Sequence, residues 1–597
     1  MKGQVSCTPR YICENDAYDL ESVDLLKTIL LLRKSKNMAT PRIEVQQDHI
    51  PHDSKNLNRR RVGVSVSVFV STVLPLLLFL RRFPRFAPFA AFANDAFYYL
   101  TVARNSLHTS FYSFDGTYPT NGFHPVWQFL LYTAMRWNIL KPADPMVTLH
   151  RLFIGNVLLL GVGFALLAAF CTRHLRRPWL AFPAVCPGFL WFAVALVAPV
   201  YLSNWSYLNG METSVELVCL GLALLTFATG TRSSYRLPIS MFFFGLTVLC
   251  RLDDVFFLLP ILALIWRSRS RRPLHRSVLA GALPLAMIAT YLVYNRISVG
   301  VLMPTSGSVK AGLSIVGNLH FFDQVILPKN WFLTPGPKWL FSEVFMRVFQ
   351  MIVPAIICGI FLFRQRRFRF DLVEALCFGV ILKALYNLVN VGLFNQGSWY
   401  YGASIFVANF VIALWLDRAA LILRPLASGD AGFRPWAAAG AGIVFVSVCF
   451  NIYVHHMIAS DTAQGQGGES IFDQRETLRA MVRHAGSDRF IEFDDGELSY
   501  VTGMPALSGL GLVLDPEAGR AMADGHFFDL ATRRHYSLIM AAGIYRTTID
   551  SVVESNRRGD INSLGLISVH EFDRYEIAPV SFDPACDVGL YRITPKR

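Results

Sequence analysis

Charged residues are scarce in this sequence: they make up 16% of its 597 residues, whereas 53% are hydrophobic. A soluble enzyme of this length carries about a quarter charged residues. The ten cysteines fall mostly within apolar segments, and Cys586 is the only one in the long C-terminal stretch. Their spacing predicts neither a disulfide framework nor a zinc site. The composition therefore excludes a soluble enzyme and a small disulfide-stabilised domain.

The N-terminal region lacks membrane and export signals. No cleavable signal pattern stands at its start, and residues 1–61 contain no apolar run long enough to span a bilayer. The stretch DLLKTILLLRKSK (24–36) is amphipathic but too charged to span. We expect residues 1–61 to form a loosely ordered cytoplasmic tail, in which Met38 is a second candidate for the first residue.

Long apolar runs dominate the rest of the chain. Many approach the roughly 20 residues that cross a bilayer as a helix. They predict an all-α polytopic membrane bundle of about eleven transmembrane helices within residues 62–455. The predicted spans are 62–80, 147–171, 180–202, 213–230, 237–250, 255–266, 277–297, 339–363, 372–393, 403–416 and 437–454.

The net charge of +14 arises from clustered basic residues whose positions predict membrane topology. They cluster in short loops such as RSRSRRPLHR (267–276) and RQRRFR (364–369), whereas the alternate loops near 203–212 and 394–402 carry no Lys or Arg. Lys and Arg resist translocation across the membrane. We therefore expect a multi-pass protein of the cytoplasmic (inner) membrane with its N-terminus inside, and no nucleic-acid partner.

This topology places two polar regions outside the membrane. Residues 81–146 form the first external loop, in which HPVWQFLLYTAMRWNIL (124–140) is short, contains an arginine and is predicted to lie at the interface as one of two juxtamembrane helices. Residues 456–597 are predicted to form an extracytoplasmic α/β domain behind a flexible tether, AQGQGGES (463–470). Apolar runs broken by Gly and Pro in 489–515 predict its strands, and 471–485 has helical spacing.

Polar clusters mark the outer ends of the predicted spans. Ionisable groups beside apolar segments cost free energy. If the polar clusters had only structural roles, they would not all need to lie on the same side of the membrane. The pattern predicts a functional site on the outer face. The clusters are NDAFYYLTVARN (94–105), TNGFHPVW (120–127), NGMETS (209–214), RLDD (251–254), PTSGSVK (304–310) and NQGSWYY (395–401).

Asp95 is the candidate catalytic residue. Asn94 is a favoured helix N-cap, and Asp95 in the first turn of a helix gains from the helix dipole, so capping alone is one interpretation. The other interpretation is a general base that takes a proton from a sugar hydroxyl. Arg104 lies nine residues later, about 180° around a helix, and is not expected to pair with Asp95.

The other candidates have structural alternatives as well. His124 precedes Pro125 and either begins a helix or binds a ligand, and Glu212 either caps a span or binds substrate. Arg251 and Lys310 are candidates to neutralise a phosphate together with His124, unless Arg251 only flanks a span or pairs with Asp253 or Asp254. Tyrosines at such positions often belong to the interfacial belt. The predicted substrate-binding residues are Asn94, Tyr98, Tyr99, Asn121, Glu212, Asp253, Tyr400 and Tyr401.

These motifs resemble the GT-C superfamily of polytopic glycosyltransferases over residues 62 to about 515. An acidic residue in a juxtamembrane helix of the first external loop is the mark of that superfamily, and NDAFYYLTVARN is similar to it. The ordered set TNGFHPVW, GMET, RLDD, PTSGSVK and DDGELSY is also similar to bacterial terminal arabinofuranosyltransferase-like proteins. This chain has Asn94 where relatives often carry a second Asp, and a metal is not predicted.

The resemblance implies a membrane glycosyltransferase. It would transfer a sugar, with inversion, from a polyprenyl-phosphate donor to a cell-envelope glycan or glycolipid at the outer face, with Asp95 as the base. A transporter or flippase of a lipid-linked sugar is the alternative, although no internal repeat typical of transporters is visible. A scaffold for envelope assembly is a third interpretation, and it would tolerate the loss of Asp95.

Overall fold

The computed structural model describes ten segments of the chain: 54–185, 207–228, 235–267, 274–310, 343–365, 370–391, 398–422, 468–493, 496–558 and 567–596. Residues Leu57–Arg597 belong to one compact unit. Helices dominate the described residues up to position 422, and a small mixed sheet with short helices follows from position 468.

The described residues up to position 422 are mainly helical. Their helices are α1 (Ser54–Arg82), α2 (Phe86–Ala91), α3 (Asp95–Asn105), α4 (Pro125–Arg136), α5 (Pro145–His174), α6 (Ala181–Val185), α7 (Thr213–Ala228), α8 (Arg236–Cys250), α9 (Val255–Arg267), α10 (Leu274–Ser298), α11 (Thr305–Lys310), α12 (Glu343–Arg364), α13 (Leu372–Asn390) and α14 (Gly402–Ile422). Single 3₁₀ turns lie at Pro178–Leu180, Leu252–Asp254 and Ser398–Tyr401.

Five helical segments in the described part of the chain are long and apolar enough to cross a membrane. They are Asn58–Arg82, Pro145–His174, Leu274–Ser298, Leu372–Asn390 and Trp399–Ala419. α5 leaves Ile154, Leu158 and Val162 exposed at a spacing of four residues, which is one face of a helix. An apolar stripe that the protein does not cover fits contact with lipid.

The predicted polytopic helical bundle with a C-terminal α/β region is confirmed in this coarse form, but eleven spans are not established. α7 and α8 have 16 and 15 residues, fewer than the ~20 that cross a bilayer. The predicted span 437–454 and most of 180–202 lie outside the described residues, as do residues 1–53 of the predicted tail. α1 begins at Ser54, earlier than the predicted span.

The predicted external loop 81–146 contains three helices, one more than expected, because a short helix, α2, precedes α3. α4 has 12 residues, which is too short to span a bilayer. It buries Trp127 and Leu131 against the protein but leaves Phe129 and Leu130 exposed. One buried and one exposed apolar face is the pattern expected of a helix lying at a membrane interface.

The described residues from position 468 onward contain five strands, in agreement with the predicted α/β class. Parallel strands β1 (Phe490–Glu492), β2 (Ala506–Ser508) and β3 (Leu538–Ala542) join antiparallel strands β4 (Tyr575–Asp583) and β5 (Val588–Pro595) in the order β2-β1-β3-β5-β4. The helices from position 468 onward are α15 (Gly468–Asp473), α16 (Arg475–His484), α17 (Glu497–Thr502), α18 (Pro516–Ala523), α19 (Phe527–Arg533), α20 (Gly543–Arg558) and α21 (Val569–Arg574). The predicted boundary at 455/456 and residues 463–467 of the predicted tether lie outside the described residues.

One face of this sheet belongs to the core of the helical bundle. Phe490, Leu538 and Met540 lie in the same buried cluster as residues of the long helices. Their neighbours Ile491 and Ile539 lie in a second cluster with the helices behind the sheet. Side chains alternate between faces along a strand, so a few short strands contribute to both cores.

A three-way junction holds the sheet region against the loop before α4. The carbonyl oxygen of Leu514 accepts hydrogen bonds from the hydroxyl groups of Thr120, at 3.1 Å, and Thr305, at 2.9 Å. The Asn121 side chain accepts from the Thr305 amide at 3.1 Å and donates to the Met303 carbonyl oxygen at 3.3 Å. Three segments distant in sequence thus meet around two threonines and one asparagine.

Gly122 allows this close approach. A β-carbon at this position would lie 2.0 Å from the carbonyl oxygen of Leu512 and 2.9 Å from Cα of Val513. Backbone atoms cannot move aside as a flexible side chain can, so we expect Gly122→Ala to lower the free energy of unfolding by more than about 1–3 kcal/mol. Thermal unfolding of the purified protein measures this. Gly519→Ala, in α18 with no atom within 4 Å of the new methyl group, is the matched control; equal midpoints would contradict the prediction.

Candidate functional site

Helix ends bring the predicted polar clusters together. Glu212 directly precedes α7, Arg251 directly follows α8, and Asp254 directly precedes α9. Consecutive helices that run in opposite directions place these three points at one end of the bundle. Tyr400 joins them from the 3₁₀ turn before α14, and His124 from the N-cap of α4.

Glu212 is the centre of this group and is fully buried. The Tyr99 hydroxyl donates to Oε2 of Glu212 at 3.0 Å, and Nη1 of Arg251 donates to Oε1 at 2.7 Å. Nε2 of His124 lies 3.6 Å from Oε1, and the His124 amide donates to the Tyr99 hydroxyl at 3.4 Å. Burial and the Glu212 charge raise the pKa of Tyr99 well above its ordinary value, which keeps this hydroxyl a donor.

Arg251 connects Glu212 to a second set of charges. Its Nε lies 3.1 Å from Oδ1 of Asp253, and its guanidinium carbon lies 4.1 Å from the centre of the Tyr400 ring. Nζ of Lys383 in α13 contacts Asp253 at 3.1 Å and Asp254 at 2.6 Å. Buried charges are tolerated only when they are paired and hydrogen-bonded, and here each cation bridges two carboxylates.

Arg251 is buried in this arrangement. Only 1% of its side chain is exposed, and two carboxylates already compensate its charge. The guanidinium group therefore lies between Glu212, Asp253 and the ring of Tyr400. The more accessible polar groups of the cluster are His124, with 24% of its side chain exposed, and Asp253, with 14%.

Asp95 is the first residue of α3 and is half-buried. It precedes Tyr99 by four residues, so both side chains leave the helix on the same face. Tyr99 contacts Glu212, which places the Asp95 face of α3 toward the ionic cluster. The predicted capping role of Asn94 is wrong: its backbone is already helical and its side chain makes no capping hydrogen bond. Asn94 is exposed instead.

Other predicted residues lie away from Glu212. Tyr98 is buried against Phe114, with ring centres 5.5 Å apart, and Asn121 lies in the three-way junction. Tyr401 is buried in the core. Lys310 is the last residue of α11, and its side chain lies outside the described residues. As expected, Arg104 does not share the face of Asp95: it donates to carbonyl oxygens of α17.

Two buried charges of this cluster were not among the residues predicted from the sequence. Lys383 lies within a predicted span and has no polar neighbour in sequence that would mark it. Glu216 lies in the first turn of α7, four residues after Glu212, and is fully buried. It interacts electrostatically with Asp254 and Lys383. An ionisable residue inside an apolar run was the available signal. Within the described residues no group of three His, Cys, Asp or Glu side chains is placed to hold a metal ion.

The comparisons with known proteins find likeness in structure but not in sequence. Neither a family model nor a curated protein sequence matches the chain. The crystal structure of the oligosaccharyltransferase of Archaeoglobus fulgidus, in complex with zinc and sulfate, superposes with a TM-score of 0.44 and 13% sequence identity. The match covers 89% of this chain and 73% of the other.

Proposed function

We propose that this chain is a membrane glycosyltransferase of the GT-C type. It transfers a sugar from a polyprenyl-phosphate donor to a glycan or glycolipid acceptor, with inversion, at the extracytoplasmic face of the membrane. The observation that carries the proposal is the position of Asp95. A half-buried carboxylate begins a helix whose same face, one turn later, contacts a buried ionic cluster at one end of the bundle.

Asp95 acts as the general base in this proposal. It takes the proton of the acceptor hydroxyl as the hydroxyl oxygen forms a bond to the anomeric carbon of the donor. The bond between that carbon and the phosphate oxygen breaks, and the electron pair leaves with the polyprenyl phosphate. Attack from the side opposite the leaving group inverts the anomeric centre. Because the phosphate leaves as a stable anion, a nearby cation suffices in place of a strong acid.

His124 and Lys310 are the groups proposed to meet the phosphate. About a quarter of the His124 side chain is exposed, and its Nε2 lies 3.6 Å from Oε1 of Glu212. Arg251 is proposed as a positioning residue, since it fixes Glu212 and thereby Tyr99 and His124. Asn94, Asp253 and Tyr400 remain proposed contacts for the sugar, and apolar helix faces are proposed to hold the polyprenyl chain.

Incubation of the purified full-length protein with a panel of polyprenyl-phosphate sugars tests the proposal. The panel includes arabinofuranose, as the motif resemblance implies, and common hexoses. We expect one donor to be consumed with release of polyprenyl phosphate in the presence of membrane glycan. Failure of every donor, with a protein that unfolds cooperatively, would contradict glycosyl transfer.

A transporter of a lipid-linked sugar is the second candidate. Lys383 favours it, because this buried lysine lies within the span Leu372–Asn390, and transporters often use ionisable groups in such positions. Proteoliposomes distinguish the two functions. A transporter changes the leaflet of the donor and leaves its glycosyl bond intact, whereas a transferase cleaves that bond.

A further inference from the structure

A second charged cluster lies beside α3, away from Asp95. A β-carbon placed on Gly503 would lie 3.2 Å from Nη2 of Arg479 and 3.8 Å from both Nη1 of Arg104 and Nη2 of Arg475. Three guanidinium groups thus converge on one glycine, at the C-terminal end of α17. They come from α3 and α16, two helices that are far apart in sequence.

Two of these arginines have partners that account for their positions. Arg104 donates to the carbonyl oxygens of Tyr500, at 2.7 Å, and Ser499, at 3.0 Å. Arg479 donates to the Thr502 carbonyl oxygen and, at 2.7 Å, to Glu476. Cations at the C-terminal end of a helix are favourable because its carbonyl groups carry partial negative charge. Capping of α17 therefore explains Arg104 and Arg479.

Capping does not explain Arg475. Its Nε is buried and meets no hydrogen-bond partner among the described residues, although a buried donor without a partner costs about 1–3 kcal/mol. The carboxylates near the cluster do not supply the missing acceptor. Glu476 binds Arg479 and is largely exposed. Glu492, which interacts electrostatically with Arg104, accepts hydrogen bonds from the amide and hydroxyl groups of Ser499.

The three positive charges also disfavour one another. Burial, together with the neighbouring Arg475 and Arg479, lowers the pKa of Arg104. An anion between the guanidinium groups would relieve this repulsion and would accept from the Nε of Arg475. Arg104, Arg475 and Arg479 all stay partly exposed, so a ligand can reach them from solvent.

We propose that Arg104, Arg475 and Arg479 form a binding site for a multivalent oxyanion such as a phosphate group. Arginine forks match the planar spacing of phosphate oxygens and bind them with charge-assisted hydrogen bonds. The helix that precedes α16, α15, packs against α2, which follows the membrane-length helix α1: the rings of Phe472 and Phe89 are 4.8 Å apart. A phosphate at this position belongs either to a lipid headgroup or to a soluble or glycan-borne group.

Titration of the detergent-solubilised full-length protein with inorganic phosphate at constant ionic strength tests this site. We expect the midpoint of thermal unfolding to rise with phosphate concentration, because a ligand that binds the folded state stabilises it. Arg475→Gln is expected to weaken the apparent affinity about tenfold or more, since it removes a charged donor. Arg475→Lys, which keeps the charge, separates lost binding from misfolding by retaining part of the response.

Arg483→Gln is the matched control. Arg483 lies on the same helix and is exposed, so its loss changes the net charge equally without touching the cluster. A response retained in Arg483→Gln and lost in Arg475→Gln supports the site. No phosphate response in the unaltered protein, or an equal response in all variants, overturns it. The shift in the unfolding midpoint measures phosphate binding, so this test does not depend on whether the chain transfers sugar.

Nanodiscs of defined lipid composition distinguish a lipid headgroup from a soluble or glycan-borne phosphate. If anionic phospholipid raises the unfolding midpoint and abolishes the phosphate response, relative to zwitterionic lipid, the occupant is a lipid headgroup. If phosphate still stabilises the protein in anionic nanodiscs, the occupant is a soluble or glycan-borne phosphate. Both results support an oxyanion site, provided that Arg475→Gln removes the effect in each case.

Discussion

Asp95→Asn is expected to reduce sugar transfer about 10²–10⁴-fold, the usual contribution of a general base, without lowering the thermal unfolding midpoint. The amide has nearly the same shape as the carboxylate but cannot accept a proton at neutral pH. Asp95 is half-buried at the start of α3, so the change removes a proton acceptor and leaves the core packing intact. Initial rates with the accepted polyprenyl-phosphate sugar measure the effect.

Asp524→Asn provides the control, since Asp524 is an exposed residue just after α18 in the sheet region. Its activity should equal that of the unaltered protein. A scaffold for envelope assembly would also tolerate Asp95→Asn, because a scaffold needs no base. Full activity of Asp95→Asn would therefore remove this residue from the mechanism, while donor cleavage by the unaltered protein would still show that the chain is a transferase.

Arg251→Met is expected to lower the free energy of unfolding by about 3–5 kcal/mol, the range measured when one partner of a buried ion pair is removed. Methionine fills much of the volume of the arginine chain but leaves Glu212 without its closest cation. It also removes the charge that faces Asp253 and the ring of Tyr400. Thermal unfolding in detergent measures the loss.

A double variant tests the physical cause. Glu212→Gln in the Arg251→Met background removes the uncompensated buried charge, so the two changes together should destabilise less than the sum of the single changes. Arg267→Met, at the exposed end of α9, should have almost no effect. Additive losses in the double variant would show that Arg251 stabilises the fold by packing alone.

Much of the architecture follows from local chemistry. Apolar runs predict helices because each helix in lipid must satisfy its own backbone hydrogen bonds. The alternation of arginine-rich loops predicts which end of each helix faces the cytoplasm. The polar clusters at the predicted outer ends of the spans include five residues that the structure places in one cluster: Tyr99, His124, Glu212, Arg251 and Tyr400. The helix start at His124–Pro125 was also predictable from local sequence.

Tertiary structure decided the partners. No pattern in the sequence pairs Lys383 with Asp253, or Arg104 with Arg475, because each pair joins residues more than a hundred positions apart and contact depends on how the helices pack. The same holds for Gly122, whose need to be glycine arises from backbone atoms of a turn near residue 512. The sequence by itself determined which segments are apolar and where their polar ends lie. Packing alone determined which charges compensate one another, because that balance depends on distances set by the whole fold.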